Sequence, residues 1–302
     1  MMRVLVTGAT GFIGRSLAAR LVNEEGTAVT ALIREHHAHR TLPDSLEANR
    51  SKINFIYADL RDFQQTKLAV WEVQPDIIFH LAAAGVSDPF LPVNTALDHN
   101  LFGTLNLLRA AFEGGAEAPR PQQLIIGRTP GEYSGMNHYA ASKAAAWQFC
   151  RMYARTQGWP LIGAVIFQAY GPGQPEQRLL PSAMRAALAG QDFPMTVGRQ
   201  KLDWIHLIDV VEGLLAVQNA GLAPGTTVDL GSGELHTVAS VVRRVYALAG
   251  GKGRPLFGAV PSRPGEVAAQ RADVYRTQAL TDWKSAVSLE EGLSQVLESL
   301  RL

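Results

Sequence analysis

Residues 4–14 read Val-Leu-Val-Thr-Gly-Ala-Thr-Gly-Phe-Ile-Gly, and this stretch decides the fold. An apolar strand runs into glycines at 8, 11 and 14, and a helical pattern follows from Phe12 to Leu21. Gly8 allows a sharp turn, Gly11 lets backbone approach a pyrophosphate, and Gly14 lets the helix pack tightly on the strand. The helix N-terminus then presents unpaired N–H groups and a partial positive charge to the phosphates. Strand, turn and helix in this order form the opening unit of a dinucleotide-binding domain.

The pattern continues outward from this unit. Short β-branched runs at Arg3–Thr7, Ala28–Ile33, Ile53–Tyr57, Asp76–His80, Gln123–Gly127 and Leu161–Phe167 alternate with helical patterns, notably Thr95–Phe112 and His138–Thr156. Such alternation predicts an α/β fold: a doubly wound, Rossmann-type parallel sheet covered on both faces. Gly171-Pro172-Gly173 and Pro175 then break the chain. A strand is expected at Thr226–Leu230, and Ser288-Leu289-Glu290-Glu291 opens the last helix as a capping box. The expected organisation is a cofactor domain over 1–170, also taking 203–232, and a smaller α/β substrate lobe built mainly from 171–302. Ligand is expected at the strand C-termini, in the cleft between them.

Composition narrows the function classes. The 302 residues carry 47 % hydrophobic and 18 % charged side chains, as in a soluble globular enzyme. A formal net charge of +1 gives no general attraction to nucleic acid or to an anionic membrane. No stretch is long and apolar enough to span a bilayer, and the glycine turn at residue 8 leaves no room for a secretory signal. With Cys150 as its one cysteine the chain forms no intramolecular disulfide, so a cytoplasmic location is expected and Cys150 reads as a small core hydrophobe.

The cofactor can be read at the next two strand ends. Ile33 occupies the slot where a carboxylate would hold the ribose hydroxyls of NAD. Arg34 follows it, with His36, His37, His39 and Arg40 nearby. A guanidinium pairs with a 2′-phosphate in bidentate fashion, which favours NADP over NAD. His37-Ala38-His39 has no Cys, Asp or Glu at ligand spacing, so no metal is expected. Asp59 is placed to accept a hydrogen bond from the adenine amino group. Small side chains in Leu81-Ala82-Ala83-Ala84 let backbone lie against the cofactor.

Tyr139 and Lys143 fall one helical turn apart on the same face. A free phenol titrates near pH 10, about three units too high for efficient proton exchange at neutrality. An adjacent ammonium favours the phenolate and lowers that value, so Tyr139 becomes a general acid and Lys143 its partner, which also bonds the nicotinamide ribose.

These motifs resemble the extended short-chain dehydrogenase/reductases, the group of nucleotide-sugar epimerases, dehydratases and reductases, over nearly the whole chain. The resemblance rests on Thr7–Gly14, Ala58-Asp59-Leu60, His80-Leu81-Ala82-Ala83, Asn100 with Gly103-Thr104, and Tyr139 with Lys143. It extends to Tyr170-Gly171-Pro172-Gly173-Gln174, Asp203-Trp204-Ile205-His206, Arg263-Pro264-Gly265-Glu266 and Leu289-Glu290-Glu291-Gly292-Leu293. It implies that Phe12, Ile13 and Leu60 join Gly8, Gly11, Gly14, Arg34, Asp59, Leu81, Ala82, Ala83 and Lys143 around the cofactor. It also implies that Arg263 binds a nucleotide diphosphate, that Gln168 lies near the sugar, and that the Thr95–Phe112 and Tyr139 helices form a homodimer bundle.

The chain departs from the family pattern after the fifth strand. Counting back from Tyr133, Thr129 falls where the carbonyl-binding hydroxyl belongs, but the segment from Tyr133 to Tyr139 is short. Leu202 stands where an arginine usually precedes Asp203, with Arg199 and Lys201 nearby. Dehydratases of this kind carry Asp-Glu after the threonine, whereas Pro130-Gly131 follows here, and neither transfers a proton. The expected activity is therefore a 4-ketoreductase that passes hydride from NADPH to a nucleotide-linked 4-keto-6-deoxyhexose. The alternatives are a nucleotide-sugar 4-epimerase that retains NAD and a non-catalytic dinucleotide-binding sensor or scaffold.

Overall fold

Val4, Leu5 and Val6 are completely buried, as a strand with neighbours on both sides and helices over both faces requires. In the computed structural model, which describes residues 1–34, 42–86, 88, 90–114, 119–262 and 269–301, they belong to β1 (Met2–Thr7). The strands that follow are β2 (Thr27–Ile33), β3 (Ile53–Tyr57), β4 (Ile77–His80), β5 (Gln123–Arg128), β6 (Leu161–Ile166), β7 (Gln168–Tyr170), β8 (Phe193–Met195), β9 (Lys201–His206), β10 (Thr227–Leu230), β11 (Leu235–Thr237), β12 (Pro255–Phe257) and β13 (Ala269–Gln270). The helices are α1 (Phe12–Leu21), α2 (Asp44–Glu47), α3 (Phe63–Val73), α4 (Val93–Ala96), α5 (Gly103–Phe112), α6 (His138–Gln157), α7 (Leu179–Leu188), α8 (Leu207–Asn219), α9 (Val238–Ala249), α10 (Val274–Thr281) and α11 (Leu289–Arg301).

The central sheet is parallel and seven-stranded, in the order β10-β6-β5-β4-β1-β2-β3. From β1 the chain steps outward to β2 and β3, then returns to pair β4 with the other edge of β1. That reversal is the topological switch point of a doubly wound fold. Ends of the expected strands move by a residue or so. The last helix begins at its capping box, where Ser288 Oγ accepts from the Glu291 amide and Glu291 Oε2 accepts from the Ser288 amide. The expected Thr95–Phe112 helix is interrupted. Its middle, Leu97–Phe102, is a π turn between α4 and α5. The reason is polar, because the wider turn directs Asn100 inward to partners outside its own helix.

The chain forms two compact units, one of Met1–Val165 with Leu214–Val228 and one of Ile166–Gly213 with Asp229–Leu302. In the first, Leu5, Ile78, Leu107, Leu108, Leu124 and Leu161 pack with Trp147 and Cys150. Cys150 is fully buried, and burial pushes its thiol up to about 12, so it is inert packing. In the second unit, Tyr170, Leu180, Met184, Trp204, Val241 and Leu293 form the core. Buried Asp203 ties that unit together by accepting from the amides of Ser232, Gly233 and Ala272 and from the Ser232 hydroxyl.

Two glycines of the opening motif are required by geometry. Gly8 has φ +71°, and a Cβ there would stand 2.6 Å from the Ala82 nitrogen. A Cβ on Gly14 would stand 2.2 Å from the Gly8 carbonyl oxygen, which is backbone and has nowhere to go. Gly14→Ala should therefore destabilise the protein by about 1–3 kcal/mol through overpacking and should weaken dinucleotide binding with it. Denaturant titration and cofactor titration check this, and parental values in both would contradict it.

Candidate cofactor and catalytic site

The cofactor and catalytic residues expected in the first unit follow the C-terminal ends of neighbouring parallel strands. Gly8, Gly11, Phe12, Ile13 and Gly14 follow β1, Arg34 follows β2, Asp59 and Leu60 follow β3, Leu81–Ala83 follow β4, and Thr129 follows β5. The N-terminus of α1 has no side-chain cap and no acidic residue in its first turn. Its orphan N–H groups and dipole suit an anion, as a pyrophosphate cradle requires.

The backbone from Leu81 to Gly85 connects the glycine turn to α6. At one end Ala82 lies against Gly8, and at the other a Cβ on Gly85 would stand 3.1 Å from that of Tyr139. Asn100 fixes this strip by accepting from the Ala84 amide at 2.8 Å and donating to the Ala84 carbonyl at 2.9 Å. The Asn100 amide also donates to Ser142 Oγ at 3.0 Å, and the Ser142 hydroxyl donates to the Tyr139 carbonyl. Ser142, between Tyr139 and Lys143, thus pins α6 to the π turn.

A buried polar chain runs beneath the strip. His80 is fully buried, with Nδ1 2.8 Å from Thr7 Oγ1 and Nε2 2.9 Å from Thr104 Oγ1. The Thr104 hydroxyl donates to the Asn100 carbonyl, so it accepts from His80 Nε2–H. Nδ1 is then the acceptor, Thr7 donates to it, and Thr7 in turn accepts from the Ala82 amide. Burial, and secondarily the Lys143 charge, lowers the His80 pKa to about 3, which keeps the ring neutral in this role.

Tyr139 and Lys143 occupy the first turns of α6, whose N-cap Asn137 accepts from the Ala140 amide at 2.8 Å. Tyr139 is half-buried. Lys143 is 4 % exposed, and burial lowers its pKa, an effect opposed by nearby Glu132. A buried ammonium of this kind fits the hydroxyls of a cofactor ribose. Thr129 caps a short 3-10 turn, Pro130–Tyr133, and its Oγ1 accepts from the Gly131 amide at 3.3 Å, leaving its hydroxyl proton to donate elsewhere.

Arg34 is half-buried, and its charge, with that of Arg61, acts on His99 of the π turn. His99 has its pKa lowered by burial first and then by these two cations. Asp59 is engaged by Arg61, whose Nε and Nη2 reach the carboxylate at 3.0 and 2.6 Å. That pairing holds Asp59 down at about 2. The sequence pattern points Asp59 at adenine, and the structure adds Arg61, Glu132 and His99 around the site residues. Arg61 and Glu132 each lie two to four residues from their partner in sequence, a spacing that marks such pairs. Gln168 lies on β7 of the second unit, and its role is not fixed by the first unit. Arg263 and the His36–Arg40 cluster lie outside the described residues. Among the described residues no acidic, His or Cys cluster suits a metal, and no helix is long and apolar enough to cross a membrane.

Comparison with known proteins gives concordant matches. Residues 4–231 match the model of the NAD dependent epimerase/dehydratase family. The chain is 30 % identical to a UDP-glucose 4-epimerase of Mycolicibacterium smegmatis, covering 99 % of each chain. It is 25 % identical to a dTDP-glucose 4,6-dehydratase of Salmonella typhimurium, covering 98 % of this chain and 92 % of the other. A solved structure of MoeE5 in complex with UDP-glucuronic acid and NAD is 26 % identical, with a TM-score of 0.84 and 99 % coverage of both chains.

The His80 chain generates two expected outcomes. Thr104→Val strands the buried ring N–H and should cost about 1–3 kcal/mol of stability in denaturant titration. Because the folded state holds His80 below its unfolded pKa of 6.5, the unfolded chain binds the extra proton as pH falls. Stability should therefore decline on acidification from about 6.5 toward 3, less steeply in His80→Asn. An identical slope in the two proteins would contradict the assignment.

Proposed function

We propose that this chain, which belongs to the NAD dependent epimerase/dehydratase family, moves a hydride at C4 of a nucleoside diphosphate-linked hexose without eliminating water. The observation that carries this reading is the state of Glu132, the carboxylate nearest Thr129 in sequence. Its Oε2 pairs with Arg128 Nε at 2.8 Å, its Oε1 accepts from the Thr129 amide at 3.0 Å, and its side chain is 1 % exposed. A carboxylate so occupied is not a base for a sugar carbon. Pro130 and Gly131, between them, have no proton to exchange. On this reading the likeness to dehydratases is one of family rather than of reaction.

A bound nicotinamide would supply or accept the hydride. Lys143 would hold its ribose hydroxyls and keep positive charge beside the phenol. Tyr139 would exchange the proton with the sugar oxygen at C4, and Thr129 would donate a hydrogen bond to the same oxygen. The glycine turn, Leu60 and the Leu81–Ala83 strip would carry the dinucleotide, and Gln168 and Arg263 are the residues that the family resemblance assigns to the nucleotide sugar. Exposed Phe102 and Phe149, on the π turn and α6, support a homodimer through those helices.

Two forms of the chemistry remain, and an observation favours each. Arg34 follows the end of β2 and suits the 2′-phosphate of a cofactor that enters and leaves. That supports the 4-ketoreductase with NADPH, which we take as the leading reading. The 30 % identity to a UDP-glucose 4-epimerase supports an epimerase that keeps NAD.

Cofactor balance separates these two. With a nucleoside diphosphate-linked 4-keto-6-deoxyhexose, the reductase should consume NADPH one for one. Multiple turnovers of UDP-glucose with no net change in the nicotinamide absorbance would establish the epimerase instead. Tyr139→Phe should bind cofactor normally and lose about 10²–10⁴-fold in kcat, and parental activity would remove it as the acid. Arg34→Ala should weaken NADPH about ten- to hundredfold more than NADH. Equal weakening of the two cofactors would reject the 2′-phosphate role.

A further inference from the structure

Arg128 and Glu132 form an ion pair inside the first unit, where charges are costly unless every group is engaged. The engagement is complete on both sides. Glu132 accepts from Arg128 and from the Thr129 amide. Arg128 donates a second bond to Thr227 Oγ1 at 3.1 Å and lies over the Trp147 ring of α6, 4.4 Å from its centroid. A Cβ on Gly163 of β6 would stand 2.8 Å from both the Arg128 side chain and the Trp147 ring, so that position has no room for one. The pair thus joins β5, the Pro130–Tyr133 turn and α6.

We infer that the Arg128–Glu132 pair is the positioning device that sets the Thr129 hydroxyl. The inference rests on the C4 hydride-transfer reading. Its logic is local. The Glu132 carboxylate captures the Thr129 amide, which fixes the backbone, and the cap from Thr129 Oγ1 to Gly131 fixes the side chain. The charge of the same carboxylate also acts on buried Lys143 of α6. Arg128 and Glu132 touch neither cofactor nor sugar in this scheme. They act through Thr129.

The test compares Glu132→Gln, the doubly neutral Arg128→Gln/Glu132→Gln, Thr129→Ala and Tyr139→Phe with the parent. The probes are NADPH and a nucleoside diphosphate-linked 4-keto-6-deoxyhexose. Glutamine has one acceptor oxygen where the carboxylate uses two, so it cannot serve both Arg128 and the Thr129 amide, and the double change removes both charges of the pair. Both should bind NADPH like the parent and lose roughly ten- to a hundredfold in kcat with little change in KM. A loss of activity that only tracks the folded fraction would overturn the inference. So would parental kcat in whichever pair variant folds. Thr129→Ala leaves the pair in place and should lose activity to a similar degree, and full activity there overturns the inference whatever the pair variants do. Parental activity in Tyr139→Phe would instead bring down the C4 reading itself, a result distinct from the others.

Discussion

A single neutral imidazole sets the wiring on which the site depends. His80 has one ring proton and one lone pair, and the threonines on either side leave it only one way to use them. Because Thr104 has already given its proton to the Asn100 carbonyl, the hydrogen bonds run in one sense from the Ala82 amide to the π turn. This chain holds β1, the end of β4 and the Asn100 turn at fixed separations. The strip from Leu81 to Gly85 can then lie flat between the glycine turn and Tyr139. A protonated ring would break the sequence, since Nδ1 would meet the Thr7 hydroxyl as a donor. The depth of burial that keeps the ring neutral is therefore part of the architecture of the site.

The second constraint concerns charge. Lys143, Arg128 and Glu132 lie near one another in the first unit with little access to solvent. Glu132 is fully committed to Arg128 and to backbone, which leaves Tyr139 as the proton-exchanging group that the account assigns to the reaction. The proposed sugar chemistry rests on one residue's hydrogen bonds rather than on overall likeness.

Much of this was legible in the sequence for physical reasons. The strands of the central sheet read clearly because strands buried on both faces must be continuously apolar, as Val4–Val6 and Ile77–Phe79 are. Gly8 and Gly14 read clearly because no other residue fits their positions. Ser288 and Glu291 read clearly because a capping box is wholly local. The π turn was not legible, since Leu97–Phe102 has ordinary helical composition and its shape is decided by Ala84 and Ser142, far away in sequence. Glu132 was passed over because its meaning depends on Arg128 pointing back from the end of β5. Asp59 was read for adenine, while its nearest cation, Arg61, stood two residues on. Local geometry is written in the sequence, whereas partnerships between elements become visible only once the sheet order is known.

The account's central claim is that hydride, and no elimination, changes the sugar at C4 in this site. The most direct measurement follows the label from NADPH deuterated at the transferring position, in turnover of a nucleoside diphosphate-linked 4-keto-6-deoxyhexose, with the product examined by NMR and mass spectrometry. The account predicts deuterium on C4 of the reduced sugar and an otherwise intact hexose. A product that has lost water, or that carries no deuterium at C4, would contradict it.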